Sequence, residues 1–325
     1  MEHKLNDISF TTTSYVYSRI QVLTWIANGT SLLNILEKDA CELLALIVSE
    51  TEANKPIVIN FKGITDIDDH AMDSIFLKLN DNKKQLVIIN GHHLLGKIDK
   101  LKKDSKAIIN SNSENETITI GKASQVDFIE VFKEREIYIE KFIKSTISNS
   151  FKKFPREIRL CSTPIIANGE FNSSEIISNP NKFIWIVFFL SDKLSKILNE
   201  SRLENVKLLS ASLRGAPFAA MLGLIHNIKF ETIDHLGPRH KIFDINFVKQ
   251  KEKGINYIYI GDFVFGGTEI KIAKTYTEMK GSKLCHALVI GSLFDKDTFT
   301  HEFDLTYLTG LKDITGGEAQ FKLFN

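Results

Sequence analysis

Several features that mark a specialised chain are scarce or missing here. There are three cysteines in 325 residues, Cys41, Cys161 and Cys285, and they form no CxxC pair. That argues against a zinc site and against a disulfide framework, and it fits a reducing cytoplasm. Neither charge is in excess, since 41 Lys and Arg stand against 40 Asp and Glu. The global footprint of a nucleic-acid or anionic-membrane binder is therefore lacking, and neither partner is expected. The longest apolar run, "FIWIVFFL" from Phe183 to Leu190, is far too short to span a bilayer. The opening stretch, "MEHKLNDISF", has neither the basic nor the apolar region of a secretory signal. His92-His93 and His301-Glu302 lack a second ligand at metal spacing. A cytoplasmic protein is the expectation, and the bias toward Ile, Asn, Lys and Phe suggests an AT-rich bacterial genome.

What is present is an ordinary globular composition, 43% hydrophobic and 25% charged, on a chain long enough for two domains with sizeable cores. The basic cluster from Lys97 to Lys106 is interrupted by acids and reads as a solvated helix end. Leu36 to Glu50 carries apolar residues at helical spacing. A strand follows at Pro56 to Phe61, then the loop "KGITDIDDHA", a helix at Ala71 to Asn80, a strand at Lys84 to Gly91 and the short helix "LLGKIDKLKKD". This alternation predicts helices covering a sheet. The polar stretch Asn110 to Thr117 predicts a hairpin or loop before the strand "ITIG". Val126 to Phe151 reads as a long connecting helix holding the domain boundary. Core packing is its plain reading, and a dimerisation or partner-docking face is the alternative, so a homodimer is among the expected assemblies.

The second half predicts a strand at "EIRLCST", a polar segment at "NGEFNSSEIISNPNKF" and a helix at "KFIWIVFFLSDKLSKILNE" buried on most sides. Strands and helices then alternate through "NVKLLSAS", "PFAAMLGLIHN", "IKFETIDH", "YIYIGDF", "EIKIAKTYTEMKG" and "LCHALVIGSLF". Such alternation implies a mostly parallel sheet, whose ligands bind outside the carboxyl ends of the strands. Two strand-to-helix turns are rich in small residues, "SLRGAP" (Ser212 to Pro217) and "GDFVFGGT" (Gly261 to Thr268). Glycines after a strand let backbone N–H groups converge on an anion, and the following helix adds its positive end. The Thr268 hydroxyl can donate one more bond, and Asp262 sits where it can accept from sugar hydroxyls. The plain alternative is two tight turns with no ligand.

With these residues the carboxy-terminal half resembles the type I phosphoribosyltransferases, in particular the orotate phosphoribosyltransferase-like branch, over roughly residues 155 to 300. The family signature is an apolar strand, two acids, a few residues, a Gly-Gly-Thr or close variant, and a helix. The resemblance implies that Phe265, Gly266, Gly267 and Thr268 cradle a 5′-phosphate and that Asp262 holds ribose. It implies a pyrophosphate loop at Arg214 and Gly215, and a mobile loop "LGPRHKIFDINF" with Arg239, His240 and Lys241 as cations, Arg239 and Lys241 being the catalytic candidates. Asp234-His235 lies beside that loop. Magnesium is implied if phosphoribosyl pyrophosphate is bound, with Asp262 as an indirect ligand. Two departures stand out: Gly261 replaces the first acid of the pair, and Phe265 can neither shuttle a proton nor hydrogen-bond a ribose, though it can stack.

The amino-terminal half, from "PIVINF" through "QLVIING", resembles a STAS domain of the divergent STAS-like group. The loop that carries a phosphorylatable serine in that family reads Asp68-Asp69-His70-Ala71 here, without a hydroxyl. Asp69 is expected to favour the start of the next helix, with Ser74 a turn further on. The expectation is an α/β protein of two modules: a STAS-like α/β sandwich (1–122), a linking helix (123–152) and a phosphoribosyltransferase-type parallel-sheet domain (153–325). Its implied role is a regulatory or sensor protein. It would bind phosphoribosyl pyrophosphate or a nucleotide and engage a protein partner through the STAS-like module. The alternative is an active phosphoribosyltransferase.

Overall fold

Short runs of Ile, Val and Leu become strands in both halves of the chain, because β-branched and aliphatic side chains fit a pleated surface. The computed structural model describes residues 9–11, 15–28, 34–52, 55–82, 84–101, 108–112, 117–121, 128–160, 165–233, 253–295, 302–312, 314 and 320–323. It is a mixed α/β architecture with parallel sheets. The chain divides into two units, Met1–Glu140 and Lys141–Asn325. The division falls inside a helix, and no helix among the described residues is long and apolar enough to cross a membrane.

The amino-terminal unit begins with strands β1 (Phe10–Thr11) and β2 (Val16–Arg19), and helix α1 (Ile20–Asn28) follows β2 without a loop. Next come β3 (Ile35–Leu36), α2 (Lys38–Glu50), β4 (Ile57–Asn60), β5 (Asp66–Ile67) and α3 (Asp73–Asn82). The unit continues with β6 (Gln85–Ile89), α4 (Leu95–Leu101), β7 (Ile109–Asn112) and β8 (Thr117–Gly121). Six strands form one sheet in the order β1-β2-β4-β6-β8-β7. The central pairs β2–β4 and β4–β6 are parallel and the flanking pairs antiparallel. Of the polar stretch from Asn110 to Thr117, the first three residues end β7 and Thr117 opens β8, its antiparallel partner; residues 113–116 lie outside the described residues. One face of the sheet, with Ile57, Ile59, Leu86, Ile88, Ile118 and Ile120, packs against Leu23, Leu44, Ile47, Ile75 and Ile98 from the helices.

The carboxyl end of α2 is closed from a distance. The buried Lys84 amine donates to the carbonyls of Val48, Ser49 and Thr51. These are orphan acceptors of the last helical turn, and a cation there also suits the helix dipole. Lys84→Met removes all three donations while keeping the aliphatic stem. We expect it to lower stability by about 1–3 kcal/mol, read as a lower urea midpoint at unchanged slope.

The long helix α5 (Phe128–Ser148) crosses the division. The sequence pattern runs it on to Phe151, but the chain turns at Asn149 and Ser150, and Phe151 opens strand β9 (Phe151–Arg159). Asn149 N–H bonds Ser145 O and Ser150 N–H bonds Ile147 O, the tightened last turn of a terminating helix. The polar segment after Asn168 is also more ordered than its composition suggests. "NGEF" completes β10 (Ile165–Phe171), and α6 (Ser174–Ile177) follows. Then come α7 (Pro180–Ser201), β11 (Val206–Ser210), α8 (Ala216–His226), β12 (Phe230–Thr232) and β13 (Asn256–Val264). The chain closes through α9 (Thr268–Met279), β14 (Lys283–Ser292), β15 (Asp304–Gly310) and β16 (Phe321–Leu323).

Five of these strands form a wholly parallel sheet in the order β12-β11-β13-β14-β15. Helix α9 covers one face, setting Ile270 and Ala273 against Tyr257, Tyr259, Ala287 and Val289. The alternate residues Leu208, Ile258, Ile260, Leu288 and Ile290 are also buried and point to the opposite face, where α7 and α8 pack. A sheet buried on both sides explains why these strands read as nearly continuous apolar runs. A second, antiparallel sheet of β16, β10 and β9 belongs to the same unit.

Candidate functional site

In chain order the five parallel strands lie second, first, third, fourth, fifth. The order therefore reverses between β11 and β13. A crevice outside the carboxyl ends of the strands opens at such a switch point. Both small-residue turns lie there: Ser212 to Pro217 leads from β11 into α8, and Phe265 to Gly267 leads from β13 into α9.

The first turn touches the strand that leads into the second. A Cβ added at Gly215 would lie 2.6 Å from Ser210 Oγ, 3.0 Å from the Ile260 carbonyl oxygen and 3.2 Å from the Gly261 Cα. Only glycine lets the backbones come this close. Gly267 stands at the amino end of α9 with φ of 70°, the left-handed region that disfavours side chains. The first helical bond runs from Lys271 N–H to Gly267 O. The N–H groups of Thr268, Glu269 and Ile270 thus precede the intrahelical ladder and form the donor end of the helix.

Two acids lie beside these turns. Asp262 is buried at the end of β13, and Ser173, just after β10, donates to its Oδ2 at 2.7 Å. Burial pushes the Asp262 carboxyl up, opposed by the Ser173 hydroxyl, the Phe263 N–H and the charge of Arg214. Glu269, in the first turn of α9, is the second acid. The Tyr259 hydroxyl donates to its Oε2 at 3.0 Å, and the Ser212 hydroxyl of the other turn also bonds it. Burial raises the Glu269 carboxyl, and repulsion from Asp262 raises it further, while Arg214 acts the other way. Asp262, Glu269, Ser212 and Arg214 therefore share one electrostatic neighbourhood at the mouth of the switch point. Two carboxylates that feel each other in a partly dry site favour a nearby cation or the uptake of a proton.

No family model and no curated protein matches this chain. Among solved structures it is similar to an orotate phosphoribosyltransferase from Aeropyrum pernix, at 14% identity and a TM-score of 0.40 over 55% of this chain and 96% of that one. It is similar to an adenine phosphoribosyltransferase from Trypanosoma brucei in complex with AMP, pyrophosphate and ribose 5-phosphate, at 14% identity and a TM-score of 0.38, covering 54% of this chain and 82% of that one. A Leishmania donovani UMP synthase is similar at 10% identity and a TM-score of 0.39, over 92% of this chain and 83% of that one.

The residues singled out from the sequence fare differently. Arg214, Gly215, Asp262, Gly266, Gly267 and Thr268 come together at the switch point. Phe265 belongs to the same turn, but its ring packs on Phe321 at 5.4 Å between centroids and on Phe171 at 6.3 Å. The Phe171 ring also meets Phe151, Phe263 and Phe321. Phe265 thus anchors the turn to the antiparallel sheet. Arg239, His240, Lys241 and Asp234-His235 lie outside the described residues. Glu269 went unnoticed in the sequence, because a glutamate after a helix-start threonine looks like an ordinary first-turn acid.

In the amino-terminal unit, α3 starts at Asp73, so Asp73 and not Asp69 is the acid of its first turn. Asp68 accepts from the His70 N–H at 3.3 Å, and Asp68, Asp69 and His70 are all exposed. Ser74 lies in that first turn with its hydroxyl buried, which shields it from modification.

Proposed function

We propose that the carboxy-terminal unit binds a phosphoribosyl compound, phosphoribosyl pyrophosphate or a nucleotide, and that the chain acts as a sensor. The observation that carries this reading is the convergence of two glycine-containing turns at the switch point. One of them offers the donor end of α9 and a left-handed glycine. Such a surface grips phosphate through backbone N–H groups. Asp262, buried beside it, is placed to accept from sugar hydroxyls. The Ser212 turn, with Arg214, suits a second phosphate. Asp262 and Glu269 are hard oxygen donors that fit magnesium, which takes one or two carboxylates plus ligand phosphates. Among the described residues no group of three or more metal-ligating side chains exists, so the ligand's own phosphates would hold most of the ion.

The sensor reading is favoured over transfer by Phe265, whose ring is committed to the aromatic cluster and carries no proton. The amino-terminal unit, with its exposed Asp68–His70 turn, takes the role of engaging a protein partner. Calorimetry with ribose 5-phosphate and with phosphoribosyl pyrophosphate, with and without magnesium, tests the site. Binding of both is expected, and Gly267→Val should weaken it about tenfold, since a β-branched residue is strained by about 1–2 kcal/mol in the left-handed region. No heat from either ligand at millimolar concentration would end the reading. Pyrophosphate release with any of a panel of bases would replace the sensor with a transferase.

A further inference from the structure

We propose that Glu269 supplies the acid missing at Gly261, and that Glu269 and Asp262 form a split pair of carboxylates that accepts the two ring hydroxyls of a ribose. This inference rests on the phosphoribosyl reading above and names the residue that makes the site select a ribosyl over a deoxyribosyl phosphate.

Position 261 has no room for an acid of its own. A Cβ there would lie 2.6 Å from Tyr259 Cε1 and 2.8 Å from the Tyr259 hydroxyl oxygen. Tyr259 and Gly261 are two residues apart on one strand and so point to the same face, where the ring fills the space a side chain would need. That same hydroxyl lies 3.0 Å from Glu269 Oε2. The carboxylate of Glu269 is therefore one hydrogen bond from the atom against which a side chain at 261 would press. It reaches from α9 the place that the strand cannot serve.

The remaining partners fit a receptor for a diol. A carboxylate has about four lone-pair sites. Tyr259 and Ser212 occupy part of that capacity on Glu269, and Ser173 with the backbone N–H groups of Asp262 and Phe263 most of it on Asp262. Each acid is thus held in place with acceptor sites remaining. The two are close enough for the Asp262 charge to act on Glu269, and Arg214 balances both. The competing account makes Glu269 a first-turn acid that only favours the helix dipole and ties α9 to Tyr259. That account predicts lower stability on substitution and no change in ligand choice.

Calorimetry on the full chain separates the two accounts. The probes are ribose 5-phosphate, its 2-deoxy and 3-deoxy analogues, and inorganic phosphate. The wild type should prefer ribose 5-phosphate over at least one deoxy analogue by about tenfold to a hundredfold, the loss of one charge-assisted bond. Glu269→Gln, which is isosteric and still accepts from Tyr259, should reduce that preference to less than about threefold and leave inorganic phosphate binding intact. Tyr259→Phe, which frees Glu269 from its anchor, should fall between, and it serves as the second variant if Glu269→Gln folds poorly. An unchanged preference in Glu269→Gln, or a wild type that binds all three sugars equally, overturns the split pair while the phosphoribosyl reading stands. A wild type that binds none of the sugar phosphates removes that reading itself.

Discussion

Replacing Glu231 by alanine should lower the stability of the carboxy-terminal unit by about 3 kcal/mol while leaving ligand affinity at the switch point unchanged. Glu231, on β12, receives 2.8 Å bonds from both Lys207 and Lys280, and the hydroxyls of Tyr257 and Tyr276 lie 3.3 and 3.4 Å from it. The Lys280 side chain is only 7% exposed and lies over the Tyr276 ring. Removing the carboxylate takes the opposite charge from a buried ammonium, and the loss of that compensation makes the effect large. Glu231 keeps 23% of its side chain exposed, so the low end of the range applies. The cluster forms just past the carboxyl end of α9, whereas the site lies at its amino end. Twelve residues of helix, roughly 18 Å, separate them.

The same cluster sets a pH dependence. Its two lysines hold the Glu231 carboxyl below the usual range despite burial. Its stabilising contribution is thus present above the unfolded value of about 4.3 and is lost as pH falls through the lower folded value. Glu231 in turn holds the Lys280 ammonium above its usual range. That contribution is present below about 10.4 and is lost as pH rises through the folded value. Urea unfolding of the wild type should weaken at both extremes, and the acid limb should flatten in Glu231→Ala. A variant with the wild-type acid limb would show that the ion cluster contributes nothing there.

The second large effect is at Trp185. Its side chain is fully buried in α7 and packs on Phe189, with ring centroids 5.7 Å apart, and on Phe142, at 6.2 Å. Trp185→Ala removes the largest fully buried side chain among the described residues and leaves a cavity beside Phe142 and Phe189. The expected cost is about 3–5 kcal/mol, which lowers the melting temperature of a unit of this size by on the order of 10 °C. Differential scanning calorimetry reads this directly. A shift of a degree or two would mean that the space collapses and that α7 is loosely held.

Much of this architecture was legible because periodicity reports burial. The helix from Pro180 is apolar on most sides, and the parallel strands are apolar throughout, since both pack inside a layered unit. Only the end of strand β9 was legible, in the strand expected at "EIRLCST", whose Glu157 to Arg159 close β9; the stretch from Phe151 to Arg156 was not. The strand is exposed along almost its whole length, so it lacks alternation, and Phe151 falls in step with the preceding helix. The fixed end of that helix is a turn at Asn149–Ser150 that has no glycine or proline to announce it. Within the site, the turns were visible from their glycines and from Asp262, because each lies at a strand end. Glu269 was not, because it looks like an ordinary first-turn acid, and Ser173 was not, because it reaches Asp262 through folding alone. Ser173 is 89 residues away in sequence.

The contact between Tyr259 and Gly261 also limits how this sequence can change. An acid cannot be introduced at position 261 in one step, because the tyrosine ring already occupies the space it needs. Removing the ring first takes from Glu269 one of the two hydroxyls that hold it and leaves Ser212 alone. If Glu269 does the work of an acid at 261, each single substitution on the way to the other arrangement weakens the site before the next can restore it. Drift at these three positions should be correlated, with glycine at 261 accompanying tyrosine at 259 and glutamate at 269.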